Sequence, residues 1–117
     1  MTDKIVIMVT AANHEECRKI AAYLVESKLA ACVNITPRVE SIYRWEGKTT
    51  CENEYQLFIK SSRALFGEIR AAVSRLHSYE NPEIIGLPIV EGSQSYLEWI
   101  ADSVETHDGE DATEETK

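Results

Sequence analysis

The 117-residue sequence lacks most of the features that assign a chain to a specialised class on sight. Its apolar run Ile5 to Val9 is only five residues long, far short of the roughly 18 that a membrane-spanning helix needs. The start Met1-Thr2-Asp3-Lys4 has no signal-peptide shape, so neither membrane insertion nor Sec-type export is expected. Cysteine is scarce: Cys17, Cys32 and Cys51 are an odd number at irregular spacing, which argues against a disulfide framework. A reducing, cytoplasmic location is the expectation. Basic stripes are missing, so binding to nucleic acid or to an anionic membrane is not expected. There is no Gly-rich phosphate loop, nucleophile elbow, kinase signature or dinucleotide fingerprint, and hence no expectation of an enzyme or an organic cofactor.

What is present is an ordinary globular composition, 44% hydrophobic and 27% charged, of a length that suits one domain. The net charge of -8 is unevenly spread. Residues 105–117 hold six acids and one base, leaving only -3 on residues 1–104. The sequence therefore reads as a single domain over 1–104 followed by an acidic tail, 105–117, which lacks apolar periodicity and is expected to be disordered.

Lys4 to Thr10 is apolar and β-branched at consecutive positions, the pattern of a central strand covered on both faces. Asn13 with Glu16 has capping-box spacing, and Cys17, Ile20, Ala21 and Leu24 form a helical stripe, so a helix is predicted over 14–27. A second strand should begin near Ala31, with Pro37 at a bulge, bend or edge position, and continue through Val39 to Glu46 into a turn at Glu46-Gly47-Lys48. A third strand is predicted over 54–60. Ser61-Ser62 is expected to cap a helix carrying Leu65, Ile69, Ala72, Val73 and Leu76. A fourth strand over 84–90 and a last helix from Gly92-Ser93 to Val104 complete the chain.

The order β-α-β-β-α-β plus a C-terminal helix is an α+β, ferredoxin-like arrangement, with both long helices on one face of a four-stranded antiparallel sheet. The other face is left bare, although the strands supply apolar side chains in both directions. Either the last helix or another copy of the chain must cover it, and self-association is the expectation.

Four strings carry a resemblance. Leu29-Ala-Ala-Cys-Val-Asn-Ile35, Ser41-Ile-Tyr-Arg-Trp-Glu-Gly-Lys48, His77-Ser-Tyr-Glu-Asn-Pro-Glu-Ile-Ile85 with Leu87-Pro-Ile89, and Tyr96-Leu-Glu-Trp-Ile100 together resemble the CutA family, in order and spacing, from about residue 4 to 101. The resemblance implies a ferredoxin-like homotrimer similar to the PII signalling proteins and a role in the response to divalent metal ions, with copper or another divalent cation as ligand. Of the metal positions carried by some members, a Cys at the end of the first strand is Val9 here and a His pair is Leu76-His77, so only His77 transfers.

Read from the residues themselves, no metal-ligand spacing of the Cys-x-x-Cys or His-x-x-x-His type is present. Copper's preference for thiolate, imidazole and oxygen ligands leaves Cys32, Cys51, His14 and His77, with Glu80 and Glu83 near His77 in sequence, and of these His77 and Cys32 are taken as the metal candidates, while Cys17 belongs to a packed helical stripe. A polar ligand cleft is the other candidate, drawn from Tyr43, Trp45, Glu46, Lys48, Lys60, His77, Tyr79 and Glu83, which mix aromatic platforms with both signs of charge. Tyr43 and Trp45 have an equally open reading as interface packing, with Glu46 and Lys48 simply forming the turn. Three functions stay open: a metal-responsive trimer that acts by binding, a PII-like sensor of a small ligand in an intersubunit cleft, and a scaffolding trimer.

Overall fold

A computed structural model describes residues 2–105. The elements run β1 (Lys4–Ala11), α1 (His14–Glu26), β2 (Cys32–Trp45), β3 (Lys48–Ser62), α2 (Phe66–Leu76), β4 (Ile84–Pro88) and α3 (Gln94–Ser103), with a 3-10 turn at Arg63–Leu65 before α2. The sheet order is β2-β3-β1-β4, antiparallel throughout, as the ferredoxin-like reading requires. Among the described residues no helix is long and apolar enough to cross a membrane.

Alternation along β1 divides the sheet. Ile5, Ile7, Val9 and Ala11 are buried in a core with Leu57 and Ile59 of β3, Cys17, Ile20 and Leu24 of α1, and Ile69 and Val73 of α2. Val6, Met8 and Thr10 point to the opposite face. There Val6 pairs with Lys60 and Leu87, Met8 with Phe58 and Ile85, and Thr10 with Gln56. The C-terminal helix buries Ile100 in the core yet does not close this second face, because Ile85 and Leu87 keep 50% and 44% of their surface exposed.

The hairpin is longer than the sequence pattern suggests. The polar stretch from Lys48 to Asn53 pairs fully with β2 instead of preceding a short third strand. Two residues cause this: Glu46 and Gly47 both have positive φ, 51° and 79°, which is the two-residue turn whose twist matches paired strands. Pro37 and Arg38, the latter with φ 60°, sit at a register shift between Thr36 and Val39 on the edge strand, where a residue without an N–H is tolerated. Beyond that bulge Ile42 and Trp45 are 67% and 62% exposed, and the molecule is drawn out to 54 Å along one axis.

Other boundaries differ for local reasons. Ser61 does not cap α2; it is buried at the end of β3 with its hydroxyl donating to the Leu29 carbonyl at 2.6 Å. Ser62 makes no side-chain cap either, and the helix proper begins only after the 3-10 turn. β4 stops at Pro88, two residues short of Val90. The expected disordered tail lies outside the described residues except for Glu105, whose amide bonds the Lys28 carbonyl at 2.9 Å.

The turn generates a prediction. A Cβ at Gly47 would meet nothing within 4 Å, so Gly47→Ala costs only backbone strain, about 1–2 kcal/mol. Glu46→Asn should act in the opposite direction, since Asn tolerates positive φ. Urea midpoints check both, and an unchanged midpoint for Gly47→Ala contradicts the turn geometry.

Candidate functional site

The site starts where α2 ends. His77 closes the last helical turn, N–H to the Val73 carbonyl at 2.8 Å, and then takes extended backbone angles that release the chain from the helix. Its side chain turns into the protein with no exposed surface. The Nε2 atom lies 2.7 Å from the Thr10 carbonyl, and Nδ1 accepts the Tyr79 N–H at 3.0 Å. That pairing places the ring proton on Nε2 and leaves Nδ1 as an acceptor. Glu16 Oε2 stands 3.2 Å from Nδ1, but its hydrogen bonds run to Ser78: the Ser78 N–H donates to Oε2 at 2.7 Å and the hydroxyl to Oε1 at 2.9 Å. Asn13 caps α1 as expected, accepting the Glu16 N–H at 2.8 Å. The return arm of the capping box is missing because the Glu16 carboxylate is committed to the 77–83 loop.

The loop then folds back over the open face. Tyr79 donates its hydroxyl to Glu54 at 2.8 Å, and Glu54 is 7% exposed. Burial, the bond to Glu54 and the charges of Glu54 and Glu52 push the Tyr79 phenol well above its usual pKa. Tyr43 is raised as well, chiefly by a hydrogen bond to Glu52. Lost solvation and then the Glu54 charge raise the Glu83 carboxyl. Two phenols and three carboxylates thus form one electrostatic cluster at the end of the sheet. On α1, within the core, burial followed by the Glu16 charge pushes the Cys17 thiol up to about 11.

Of the expected cleft residues, the structure brings Tyr43, Tyr79 and Glu83 together through Glu52 and Glu54, and His77 anchors the loop beneath them. Trp45 and Lys48 pair at the hairpin tip and Glu46 is in its turn. Lys60 lies far off on the same strand as Lys48, twelve residues away, or about 40 Å along β3. One chain therefore does not assemble the eight residues into a cleft. Glu16 and Glu54 were missed, since their partners are 62 and 25 residues away and nothing local marks them; Glu52 was missed as well, its partner Tyr43 lying on the facing strand of the hairpin.

A shallow apolar groove of about 250 Å³ lies elsewhere, between α1 and the edge strand, lined by Arg18, Ala21, Ala22, Val25, Val33 and Ile35.

Comparison with known proteins now bears on the fold and the strings together. The family model for the CutA1 divalent ion tolerance protein matches residues 5–103. The chain belongs to the CutA1 family. A divalent-cation tolerance protein CutA of Thermus thermophilus is 43% identical over 98 residues, covering 84% of this CutA1 chain and 95% of the relative. The chloroplastic protein CutA of Arabidopsis thaliana is 46% identical over 99 residues, and there the chain spans only 54% of the relative's length. Among solved structures, CutA1 of Oryza sativa superposes with a TM-score of 0.85 at 42% identity, covering 87% of this chain and 94% of that one.

The family links the chain to divalent cations, so the metal candidates can be tested against the geometry. Both His77 ring nitrogens are engaged and the side chain is sealed from solvent. Cys32 pairs with Lys60, in the row of Val6, four residues along and two strands across from Thr10. Among the described residues no group of three or more His, Cys, Asp or Glu is placed to hold a metal ion. A single CutA1 chain thus offers no ready-made site from His77 and Cys32.

Two outcomes follow. Glu16→Ala strips Ser78 of both partners and should cost about 1–3 kcal/mol in urea unfolding; an unchanged midpoint would refute the clamp. Because the folded-state value of Cys17 lies above the free thiol's 9.0, its contribution to stability is complete below about pH 9 and is lost as pH rises through about 11. Iodoacetamide at pH 8 should accordingly label exposed Cys51 while sparing Cys17 until the chain is unfolded; native labelling of Cys17 contradicts its burial.

Proposed function

We propose that this CutA1 chain serves tolerance to divalent metal ions by binding them, without turnover, as an assembly of three copies whose open sheet faces cover one another. The observation that carries the reading is the uncovered apolar band of Met8, Phe58, Ile85 and Leu87, on a face that the chain's own last helix leaves open. Such a patch beside polar rims is the mark of an interaction surface. Membership of the divalent ion tolerance family supplies the ligand class.

Since the described residues of one chain hold no formed metal site, the cation, copper or another divalent ion, is taken by groups that the assembly brings together, with Cys32 as the half-buried thiol on that face. Three free cysteines suit a reducing cytoplasm as the place of action. The reading of an intersubunit sensor cleft is favoured by the convergence of Tyr43, Tyr79 and Glu83. The excess of carboxylates there selects a cationic ligand over an anionic one.

The test is thermal unfolding with copper(II), zinc and a chelator control. A bound ion raises the midpoint by an amount that grows as RT ln(1 + [L]/Kd), and Cys32→Ser should reduce the copper response. No shift with any divalent cation at saturating concentration overturns metal binding.

A further inference from the structure

The open face has two unlike ends. At one end is Lys60, in the row of Val6 and Leu87; its ammonium bonds the neutral amide oxygen of Asn34, and among the described residues it has no carboxylate in ion-pair contact. In the middle lies the apolar band of Met8, Phe58 and Ile85. At the other end, six residues or about 20 Å along β3, lies Glu54, with Glu52 and Glu83 around it. Glu54 is nine-tenths buried, its carboxylate accepts from the Tyr79 hydroxyl, and among the described residues no lysine or arginine pairs with it. A carboxylate withdrawn from water beside two others and lacking a cation is costly, and the cost is removed when a cation arrives. Lost solvation first, and then the neighbouring Glu54 charge, raise the Glu83 carboxyl beside it.

Resting on the reading of self-association above, we infer that the cation is Lys60 of a second copy, seated against Glu54 and Glu83 as the apolar bands of the two faces meet. Unlike ends on one face can meet reciprocally in a two-copy pair or head to tail around a ring, and the three-copy assembly proposed above selects the second. Each copy then gives its Lys60 to one neighbour and receives a lysine from the other, an arrangement that closes as a ring. The acidic cluster is thus one half of an interface site, complete only in the assembly. Across an apolar interface a close charge pair sets register as well as affinity, which excludes the parallel docking that would oppose acid to acid.

The test uses the full chain and a charge exchange between Lys60 and the exposed Glu83, leaving buried Glu54 in place. Light scattering on dilution measures association for the wild type, Lys60→Glu, Glu83→Lys and the double variant, each first shown folded by circular dichroism. Each single change should weaken association by about tenfold or more, and the double variant should recover to within about threefold of the wild type. Raising the salt concentration should weaken the wild type, because the pair lies at the edge of the apolar band. Wild-type association with unchanged affinity in both singles overturns the ion pair while sparing self-association. Singles that weaken without recovery in the double variant overturn the Lys60–Glu83 pairing. A wild type that stays monomeric removes the self-association reading itself.

Discussion

A four-stranded sheet has two faces, and two helices can close only one of them. Everything distinctive in this chain follows from that geometric constraint. Strand β1 is apolar on both sides, so burying Ile5, Ile7 and Val9 beneath α1 and α2 necessarily turns Val6 and Met8 the other way, and pairing places Phe58, Ile85 and Leu87 beside them. The last helix spends its buried residue, Ile100, on the closed side. The open side is thereby a half-built core that wants a second layer about 10 Å away, the separation at which sheets pack.

The loop from His77 to Glu83 ties this face to the closed layer. Its lower end is held by Glu16 of α1 and by the Thr10 carbonyl of β1, its upper end by Glu54 of β3. His77, a metal candidate by its chemistry, here ties the loop to β1, its Nε2 toward the Thr10 carbonyl and its Nδ1 toward the Tyr79 N–H. The polar chemistry moves from His77 to the carboxylates and phenols around Glu54. Their shared negative charge makes the second layer a matter of charge as well as apolar area, since among the described residues Lys60 has no carboxylate in ion-pair contact at the far end of the same face.

The legible and illegible parts of the molecule separate by range. Period-two and period-3.6 patterns made β1, α1, α2 and the sheet order readable, and Asn13 announced its cap, because each of these signals is carried by residues within one or two turns of one another. The reach of the hairpin was not readable. Lys48 to Asn53 is polar on both faces, and only the paired positive φ values at Glu46 and Gly47 extend the ladder through it. Of the candidate site, Tyr43, Tyr79 and Glu83 were found by their chemistry. Glu16 and Glu54 were not, since a glutamate on a helix or strand looks solvated until the chain brings a distant loop to it, and Glu52 joins Tyr43 only through the extended hairpin. Lys60 was grouped with a cleft on composition, and the register places it 40 Å or so from Lys48 within one chain. That separation is itself informative, because residues that share a face and lie at its opposite ends meet only between copies.

Sedimentation velocity of the wild-type chain at micromolar concentration tests the central claim most directly. The account predicts a species at a multiple of the 13.2 kDa chain mass, three copies by the proposal above, with no monomer boundary at physiological salt. A single boundary at 13.2 kDa would contradict it, because the apolar band would then face water with nothing to cover it.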